Sequence, residues 1–262
     1  MVYNIPRMRW SNMKFVGDYH THTIASDGHS TLEENVLAAK EAGLEEFVIS
    51  DHGFKSIVAN MTVDNFEIEQ DFIKNEKRIS VLQGLESNII NPDGEIDTPD
   101  EYLRRLDVLT VGFHRYVKPK YMFTKFVFTN GFGAKRAKQK LIDLNTNAYV
   151  QALDKYPIDI VAHLNHMAPV HGKPIFEKAK ETGAYIELNV KHLDDFKPLV
   201  KDALDCGVNF IVCSDAHWSK DIGKFDEIEK FIIANGIPLE RVFGREGNLP
   251  KFKDKTNWGI TK

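Results

Sequence analysis

The sequence predicts a single α/β domain built on parallel strands, and three observations favour this fold class. Short apolar segments alternate with helix-like segments, which is typical of parallel strands joined by crossover helices. The chain has 262 residues, 42% of them hydrophobic, which suits one large core and the size of an α/β barrel. No glycine-, serine- or proline-rich linker divides it. The predicted strands are 15–19, 46–50, 81–85, 108–112, 158–162, 185–188 and 210–214.

Capping patterns mark where two of the helices begin. Ser30 followed by Glu33 predicts a capping box at the start of the first helix. Thr98 and Glu101 repeat this pattern, with Pro99 at the first helical position. Helical spacing of apolar residues predicts further helices at 174–182, 193–206 and 225–235.

Composition narrows the possible partners and the cellular location. The formal net charge is -4, so no overall basic field attracts nucleic acid. The first fifteen residues contain no continuous apolar stretch, which predicts a cytoplasmic protein without a membrane partner. Cys206 and Cys213 are the only cysteines, and we expect core residues rather than a disulfide or a thiolate zinc site. The oligomeric state is not predicted.

Side chains that bind metals follow nearly every predicted strand. A single histidine beside a strand is more often structural than a metal ligand. A structural explanation of the whole pattern would need an independent coincidence at each strand end, so the pattern favours a metal site. The carboxyl ends of parallel barrel strands meet at one face, where active sites are built. Histidine with bridging carboxylate favours Zn, Mn or Fe over Ca. The residues concerned are His20, His22, Asp51, His52, Glu86, His114, His163, Asp215 and His217.

These residues lie in motifs that resemble those of the PHP (polymerase and histidinol phosphatase) family. The resemblance runs from about Asp18 to Glu229. Segments 84–88, 93–97 and 112–114 are most similar to the YcdX-like phosphatases. The motifs are His20-Thr21-His22 with Ser26-Asp27-Gly28, then Ser50-Asp51-His52, Glu86, His114, His163 and Ser214-Asp215-Ala216-His217.

The resemblance implies a distorted (β/α)7 barrel with two to three divalent transition metals, Zn, Mn or Fe, bound at three positions. Glu86 would bridge two of these positions. The implied ligands are His20, His22, Glu86 and Asp215 for the first ion, His52, His163 and either Asp27 or His29 for the second, and Glu86, His114 and His217 for the third.

The second metal position is where the sequence departs from the family's pattern. The wider family has an aspartate at the position of Asp27, whereas the YcdX-like branch has a histidine nearby, as His29 would be. We prefer Asp27, because His29 is adjacent to the predicted helix cap Ser30. Asp51 resembles a residue that fixes a histidine tautomer from behind the ligands.

Clustered divalent ions predict hydrolysis of a small phosphomonoester. They would activate a bound water for attack on phosphorus, with Glu86, Asp215 and, behind them, Asp51 as the catalytic carboxylates. No Gly-x-Ser-x-Gly nucleophile motif is present in the sequence. The expected class of enzyme is therefore a metal-dependent phosphatase.

The segment 115–140 is rich in basic and aromatic residues. We predict a lid inserted in a domain core of about 15–245, with Arg115, Lys135 and Arg136 as contacts to the substrate phosphate. A contact to single-stranded nucleic acid remains an alternative for this segment. Four residues after predicted strands could also contact substrate, although ordinary loop residues are more common there: His166, His171, His192 and Trp218.

Three alternatives to a general phosphomonoesterase stay open at this point. The chain could be a histidinol-phosphate phosphatase, which the sequence does not separate from the first interpretation. It could be a nucleic-acid phosphoesterase or exonuclease, for which the basic segment 115–140 is the motive. It could also be a non-catalytic binding module stabilised by metal, although its complete ligand set argues against this interpretation.

Overall fold

The computed structural model describes residues 13–57, 59–114, 117 and 135–259, except for the side chains of 135–138. Within these residues, eight strands form one sheet in which each strand pairs in parallel with the next in chain order. The strands are β1 (Gly17–Thr21), β2 (Glu46–Ile49), β3 (Ser80–Asn88), β4 (Val108–Gly112), β5 (Ile160–Val161), β6 (Tyr185–Asn189), β7 (Phe210–Cys213) and β8 (Val242–Phe243).

Helices follow most of the strands and cover the outside of the sheet. None of the described helices is long and apolar enough to cross a membrane. The α-helices are α1 (Leu32–Glu41), α2 (Val63–Asn75), α3 (Asp100–Leu103), α4 (Lys135–Lys155), α5 (Gly172–Thr182), α6 (Leu193–Phe196), α7 (Val200–Cys206) and α8 (Asp226–Asn235).

The sheet curls so that its two ends meet. Ala216, after β7, pairs in parallel with Thr21 of β1, and the His22 N–H donates to the Ala216 carbonyl at 2.9 Å. Gly244, after β8, accepts hydrogen bonds from the N–H groups of Val16 and Gly17. These contacts confirm the predicted distorted α/β barrel, with β8 as an eighth strand beyond the seven expected.

Alternation along the strands separates an inner layer from the layer that packs on the helices. In β2, Phe47 and Ile49 belong to the core shared with the helices, whereas Val48 belongs to the inner cluster. In β6, Tyr185 belongs to the inner cluster, and Glu187 lies two residues further on the same face. The inward positions are therefore apolar early in the strands and polar at their carboxyl ends, which places a polar site at one mouth of the barrel.

The predicted capping box of the first helix was wrong by one residue. Thr31 is the N-cap of α1: its hydroxyl accepts from the Glu34 N–H at 3.3 Å, and Glu34 accepts from the Thr31 N–H at 2.7 Å. The Ser30 hydroxyl instead accepts from the Ser219 N–H at 2.9 Å. Ser30 thus ties the start of α1 to the loop that follows β7.

Two other helix predictions needed correction. The predicted helix 193–206 is interrupted by a 3-10 turn at Lys197–Leu199, because Pro198 has no N–H to continue the α-helical ladder. The Thr98 hydroxyl was predicted to cap the single-turn helix α3. It forms a hydrogen bond with the Ser87 hydroxyl instead and does not cap the helix. Both changes leave the strand ends that carry the candidate ligands in place.

Candidate metal centre

Glu86, near the end of β3, lies at the middle of a cluster of imidazoles. Its carboxylate is 1% exposed. Oε1 lies 2.6 Å from His163 Nε2 and 3.1 Å from His114 Nε2. Oε2 lies 3.0 Å from His52 Nδ1 and 3.3 Å from His20 Nε2. One buried carboxylate thus joins the ends of β1, β2, β4 and β5.

A second group of donors surrounds the two histidines of β1. His20 Nε2 and His22 Nε2 are 3.1 Å apart, and His22 Nε2 lies 3.5 Å from Asp215 Oδ1. The same His22 nitrogen lies 3.7 Å from Glu86 Oε2. Two imidazole nitrogens and two carboxylate oxygens therefore converge on one buried volume.

A third group forms at the mouth of the barrel around Asp27, whose side chain is 41% exposed. His52 Nε2 lies 3.2 Å from Asp27 Oδ2, and His217 Nε2 lies 3.3 Å from Asp27 Oδ1. His22 Nδ1 lies 3.7 Å from Asp27 Oδ1. His22 and His52 each turn one nitrogen toward Asp27 and the other toward Glu86.

The spacing of these donor atoms fits transition-metal ions. Ligands at a Zn–N distance of about 2.0–2.1 Å in a tetrahedron lie roughly 3.3–3.4 Å from one another. The contacts among His20, His22, Glu86 and Asp215 span 3.1–3.7 Å, and the three contacts of Asp27 span 3.2–3.7 Å. Donors at this spacing with both nitrogen and oxygen atoms suit zinc, manganese or iron.

Comparison with known proteins decides the family. The PHP domain family matches residues 18–240. The chain belongs to the PHP family. A relative from Acetivibrio thermocellus, named "Probable phosphatase", is 32% identical over 88% of this chain and 91% of its own length. A probable phosphatase from Thermoanaerobacter sp. is 30% identical over 89% of this chain and 92% of its own length.

The fold of this PHP domain is also that of a solved phosphatase. The crystal structure of histidinol phosphate phosphatase from Lactococcus lactis, complexed with zinc, L-histidinol and phosphate, superposes with a TM-score of 0.60. The match covers 93% of this chain and 98% of the Lactococcus lactis chain, and the two sequences are 16% identical. At this level of identity the likeness shows the fold alone.

The structure groups the predicted ligands of this PHP domain differently from the arrangement that the resemblance implied. His163 lies beside Glu86 and His114, whereas the implied arrangement placed it with Asp27. His217 lies beside Asp27 rather than beside His114. The reason is the closure of the barrel: Ala216, after β7, pairs with Thr21 of β1, so the loop after β7 reaches the loop after β1 and not the end of β4.

Asp27 and His29 are the two alternatives for one ligand of the second metal position, and they lie in different surroundings. Asp27 contacts three imidazoles. The His29 ring is exposed and stacks on Trp218, with ring centroids 4.2 Å apart. The His29 N–H donates to the His217 carbonyl at 2.7 Å. Among the described residues, the geometry favours Asp27 as the ligand and gives His29 a role in holding the β7 loop.

Asp51 acts on a loop rather than on an imidazole. It accepts from the Thr23 N–H at 2.8 Å, from the Thr23 hydroxyl at 2.6 Å and from the Ser26 hydroxyl. Its contact with an imidazole, at His22 Nδ1, is 3.9 Å and too long for a hydrogen bond. Asp51 therefore shapes the loop that carries Asp27, and the predicted control of a histidine tautomer does not fit this geometry.

Two orienting residues were missed by the sequence analysis. Glu187 Oε1 accepts from His20 Nδ1 at 2.7 Å, and Glu187 Oε2 accepts from the His163 N–H at 2.5 Å. Asn88 Oδ1 lies 2.6 Å from His114 Nδ1. A carboxylate only accepts hydrogen bonds, so His20 Nδ1 carries the proton and Nε2 is left for a metal. The available signal was the polar Glu187 inside an otherwise apolar predicted strand.

Burial and crowding fix the charge of this centre. Burial alone would raise the pKa of Glu86, but His114 and His20 hold that pKa well below its usual range. Burial alone would also raise the pKa of Asp215, but the hydrogen bond with His22 holds that pKa well below its usual range. Burial lowers the pKa of His114 to about 4, although Glu86 favours its charged form. At His20 and His163, by contrast, burial would lower the pKa, but Glu86 raises it, so these imidazoles would have to release protons when they bind a divalent metal.

The backbone is strained where two of the candidate ligands sit. His163 and Asp215 have φ values of 25° and 53°, in the region that non-glycine residues rarely adopt. Such strain persists only where the surrounding structure imposes it, and it clusters at functional sites. Hydrogen bonds from the His163 N–H to Glu187 and from Asn189 Nδ2 to Asp215 Oδ2 supply that constraint.

A cavity of about 250 Å³ opens over the centre. Among the described residues that line it, Lys191 is the one lysine, and none is an arginine. Its ammonium lies 3.3 Å from Asp215 Oδ1 and 2.7 Å from His217 Nδ1. A larger groove of about 640 Å³ runs along α2 but is lined by no histidine. The chemistry therefore belongs to the smaller cavity.

The predicted phosphate contacts belong to a segment that lies mostly outside the described residues. Arg115 and most of the segment 115–140 lie outside the described residues. Lys135 and Arg136 begin α4, but their side chains are outside the described part. The sequence analysis gave no signal for Lys191, because a single lysine in a loop after a strand is common.

Glu187→Gln is expected to weaken metal binding roughly 10- to 100-fold, the usual effect of removing a residue that orients a metal-binding histidine. The amide can donate to His20 Nδ1, which would move the ring proton to Nε2 and block that ligand. Competition with a metal-binding dye measures this change. Glu177→Gln, an exposed change on α5, is the control, and equal metal affinity in both variants would contradict the orienting role.

Proposed function

We propose that this chain is a metal-dependent phosphatase that hydrolyses a small phosphomonoester with two to three divalent transition ions, Zn, Mn or Fe. One observation carries the proposal: the Glu86 carboxylate is surrounded by imidazoles from four strand ends, with Asp27 and Asp215 close by. Packing alone does not explain this constellation, because burial of ionisable groups costs free energy that burial of apolar side chains does not.

Three sets of side chains would hold the ions. Glu86 is the carboxylate shared between the first two sets. The first set would be His20, His22, Glu86 and Asp215; the second would be Glu86, His114 and His163; and the third would be Asp27, His52 and His217, with His52 also 3.0 Å from Glu86.

Ions bound there would lower the pKa of a coordinated water and neutralise the phosphate oxygens, which is the chemistry that phosphoester hydrolysis needs. The protein's own residues prepare this site. Glu187 and Asn88 fix the ring protons of His20 and His114, and Asp51 holds the loop that carries Asp27. No protein nucleophile is required.

Lys191 is the proposed contact to the substrate phosphate. Its ammonium now neutralises Asp215 and contacts His217, at the edge of the cavity. An ion held by Asp215 would neutralise its carboxylate, so the ammonium would be free to turn to an anion in the cavity. Arg115, Lys135 and Arg136 remain predictions for the same role.

Lys191→Met should raise KM for phosphomonoesters about tenfold, since a charged hydrogen bond to phosphate contributes roughly 1.5–3 kcal/mol. Metal content should stay unchanged. Steady-state kinetics and elemental analysis of the same sample test both points. Lys197→Met, an exposed lysine six residues along the chain, is the matched control, and a KM shift of the same size in that variant would count against a specific phosphate contact.

The test of the whole proposal combines metal analysis with an activity assay. Protein purified without added metal or chelator should contain two to three transition ions per chain and hydrolyse phosphomonoesters in a metal-dependent way. Little bound metal, with no turnover after Zn, Mn and Fe are supplied, would overturn the proposal and favour a metal-stabilised binding module.

The other interpretations have their own tests. Comparison of kcat/KM on histidinol phosphate with kcat/KM on other phosphomonoesters would identify a histidinol-phosphate phosphatase. The nucleic-acid alternative depends on the segment 115–140, which lies mostly outside the described residues, and binding of single-stranded DNA at low salt would test it. A single PHP domain over residues 1–262 and a cytoplasmic location remain predictions.

A further inference from the structure

Beside the metal centre, three polar residues form a cluster that the proposed ligand sets do not use. His166 follows β5, and His192 and Asp195 follow β6. His166 Nδ1 lies 2.7 Å from Asp195 Oδ2, and His192 Nδ1 lies 3.4 Å from the same oxygen. The two imidazole rings are in contact, with centroids 3.6 Å apart and their planes tilted by 35°. One carboxylate oxygen thus holds both rings side by side.

The backbone is shaped to make this cluster. Asn165 has a φ of 74°, a left-handed conformation that is uncommon outside glycine. Its side-chain amide donates to the Asp195 carbonyl at 2.8 Å and so ties the β5 loop to α6. Asparagine adopts this conformation more readily than other non-glycine residues, so Asn165 suits this turn.

The hydrogen bond to Asp195 fixes which nitrogen of His166 faces other partners. Because a carboxylate only accepts, His166 Nδ1 carries the proton, and Nε2 is an acceptor with no partner among the described residues. Both imidazoles line the cavity over the metal centre, whereas Asp195 does not. His192 Nε2 lies 3.9 Å from Asp215 Oδ2, so this wall of the cavity adjoins the proposed metal ligands.

We propose that His166 and His192 bind hydroxyl groups on the alcohol part of the substrate, so that the site selects phosphomonoesters of polyols. This inference rests on the proposed function. The acceptor Nε2 of His166 calls for a ligand with a hydrogen-bond donor, either hydroxyl or ammonium, and the neighbouring His192 can bind a hydroxyl group as donor or as acceptor. Lys191 lines the same cavity and would repel an ammonium group, which favours the neutral hydroxyl.

A pair of matched substrates tests the inference. Glycerol 1-phosphate and propyl phosphate differ only in two hydroxyl groups. We expect kcat/KM of the wild-type protein to favour glycerol 1-phosphate by about tenfold or more, because one hydrogen bond with good geometry contributes about 1 kcal/mol and two act here. Phosphoethanolamine, which offers an ammonium group, should be hydrolysed less efficiently than glycerol 1-phosphate.

His166→Phe replaces the imidazole with an apolar ring and should lower the ratio between the two substrates about fivefold, because one of the two hydrogen bonds is lost. His171→Phe is the control, because His171 is exposed, hydrogen-bonds with Asp143 at 3.1 Å and does not line the cavity. A wild-type ratio near one, or an equal loss on both substrates in His166→Phe, would overturn the inference. Loss of one bound ion in His166→Phe would overturn it too, in favour of a fourth metal site.

This experiment separates two kinds of failure. If neither substrate is hydrolysed by wild-type protein with any of the three metals, the proposed phosphatase function has failed. If both substrates are hydrolysed equally well, the function stands and the selection of polyols has failed.

Discussion

Replacement of Glu86 by glutamine is expected to lower kcat/KM for phosphomonoesters by about a thousandfold or more and to remove at least one bound ion. Both oxygens of Glu86 contact imidazole nitrogens that are candidate ligands. An amide has the same shape, but it offers one neutral oxygen, and its NH₂ group faces those nitrogens with protons. Several kcal/mol of transition-state stabilisation by the ions would be lost, which corresponds to this factor.

The matched control for this variant is Glu46→Gln. Glu46 begins β2 at the other end of the barrel, and its carboxylate accepts from the Tyr19 hydroxyl at 2.7 Å, which an amide oxygen can also do. Assay and elemental analysis of both variants decide the question. A Glu86→Gln protein that kept its full metal content and more than a tenth of wild-type activity would show that Glu86 does not bridge the ions.

The position of the candidate site could be predicted from the sequence because each strand of a parallel barrel delivers its last residues to the same mouth. His20, Glu86 and Asp215 belong to strands far apart in sequence, yet they lie within one cluster. The prediction needed only the strand ends, and errors of two or three residues in strand bounds did not affect it. The β1 strand begins at Gly17 rather than at residue 15, and His20 still lies near its end.

The distribution of ligands within the cluster could not be predicted in this way. Which carboxylate a histidine faces depends on the path of its loop after the strand ends. His163 turns toward Glu86 through a φ of 25°, and His217 reaches Asp27 because the neighbouring Ala216 pairs with Thr21 of β1. Neither feature has a signature in local sequence.

Long-range contacts also explain the misplaced cap and the missed orienting residue. Ser30 and Thr31 are equivalent capping residues by local rules. The contact of Ser30 with Ser219, 189 residues away, leaves Thr31 to cap α1. Glu187 acts through His20, which is 167 residues away. Its role appears only when the barrel closes.

Removal of bound metal is expected to lower the melting temperature by roughly 10 °C. Ions bound at about a thousand times their dissociation constant stabilise the folded state by about 4 kcal/mol, which corresponds to this shift for a domain of this size. Without ions, several imidazoles crowd around Glu86. Burial and the neighbouring His52 and His217 lower the pKa of His22, although Asp215 acts in the opposite direction. Ions would replace this repulsion with attraction to every ligand.

Thermal unfolding followed by circular dichroism, on metal-loaded protein and on the same protein after chelation and dialysis, measures this shift. Re-addition of Zn, Mn or Fe should restore the melting temperature. Glu86→Gln should show a much smaller shift on chelation, because it begins with fewer ions, whereas Glu46→Gln should behave like the wild type. Equal melting temperatures before and after removal of all metal would mean that the folded protein gains nothing from the ions, and the cluster around Glu86 would then be a hydrogen-bonded network rather than a metal centre.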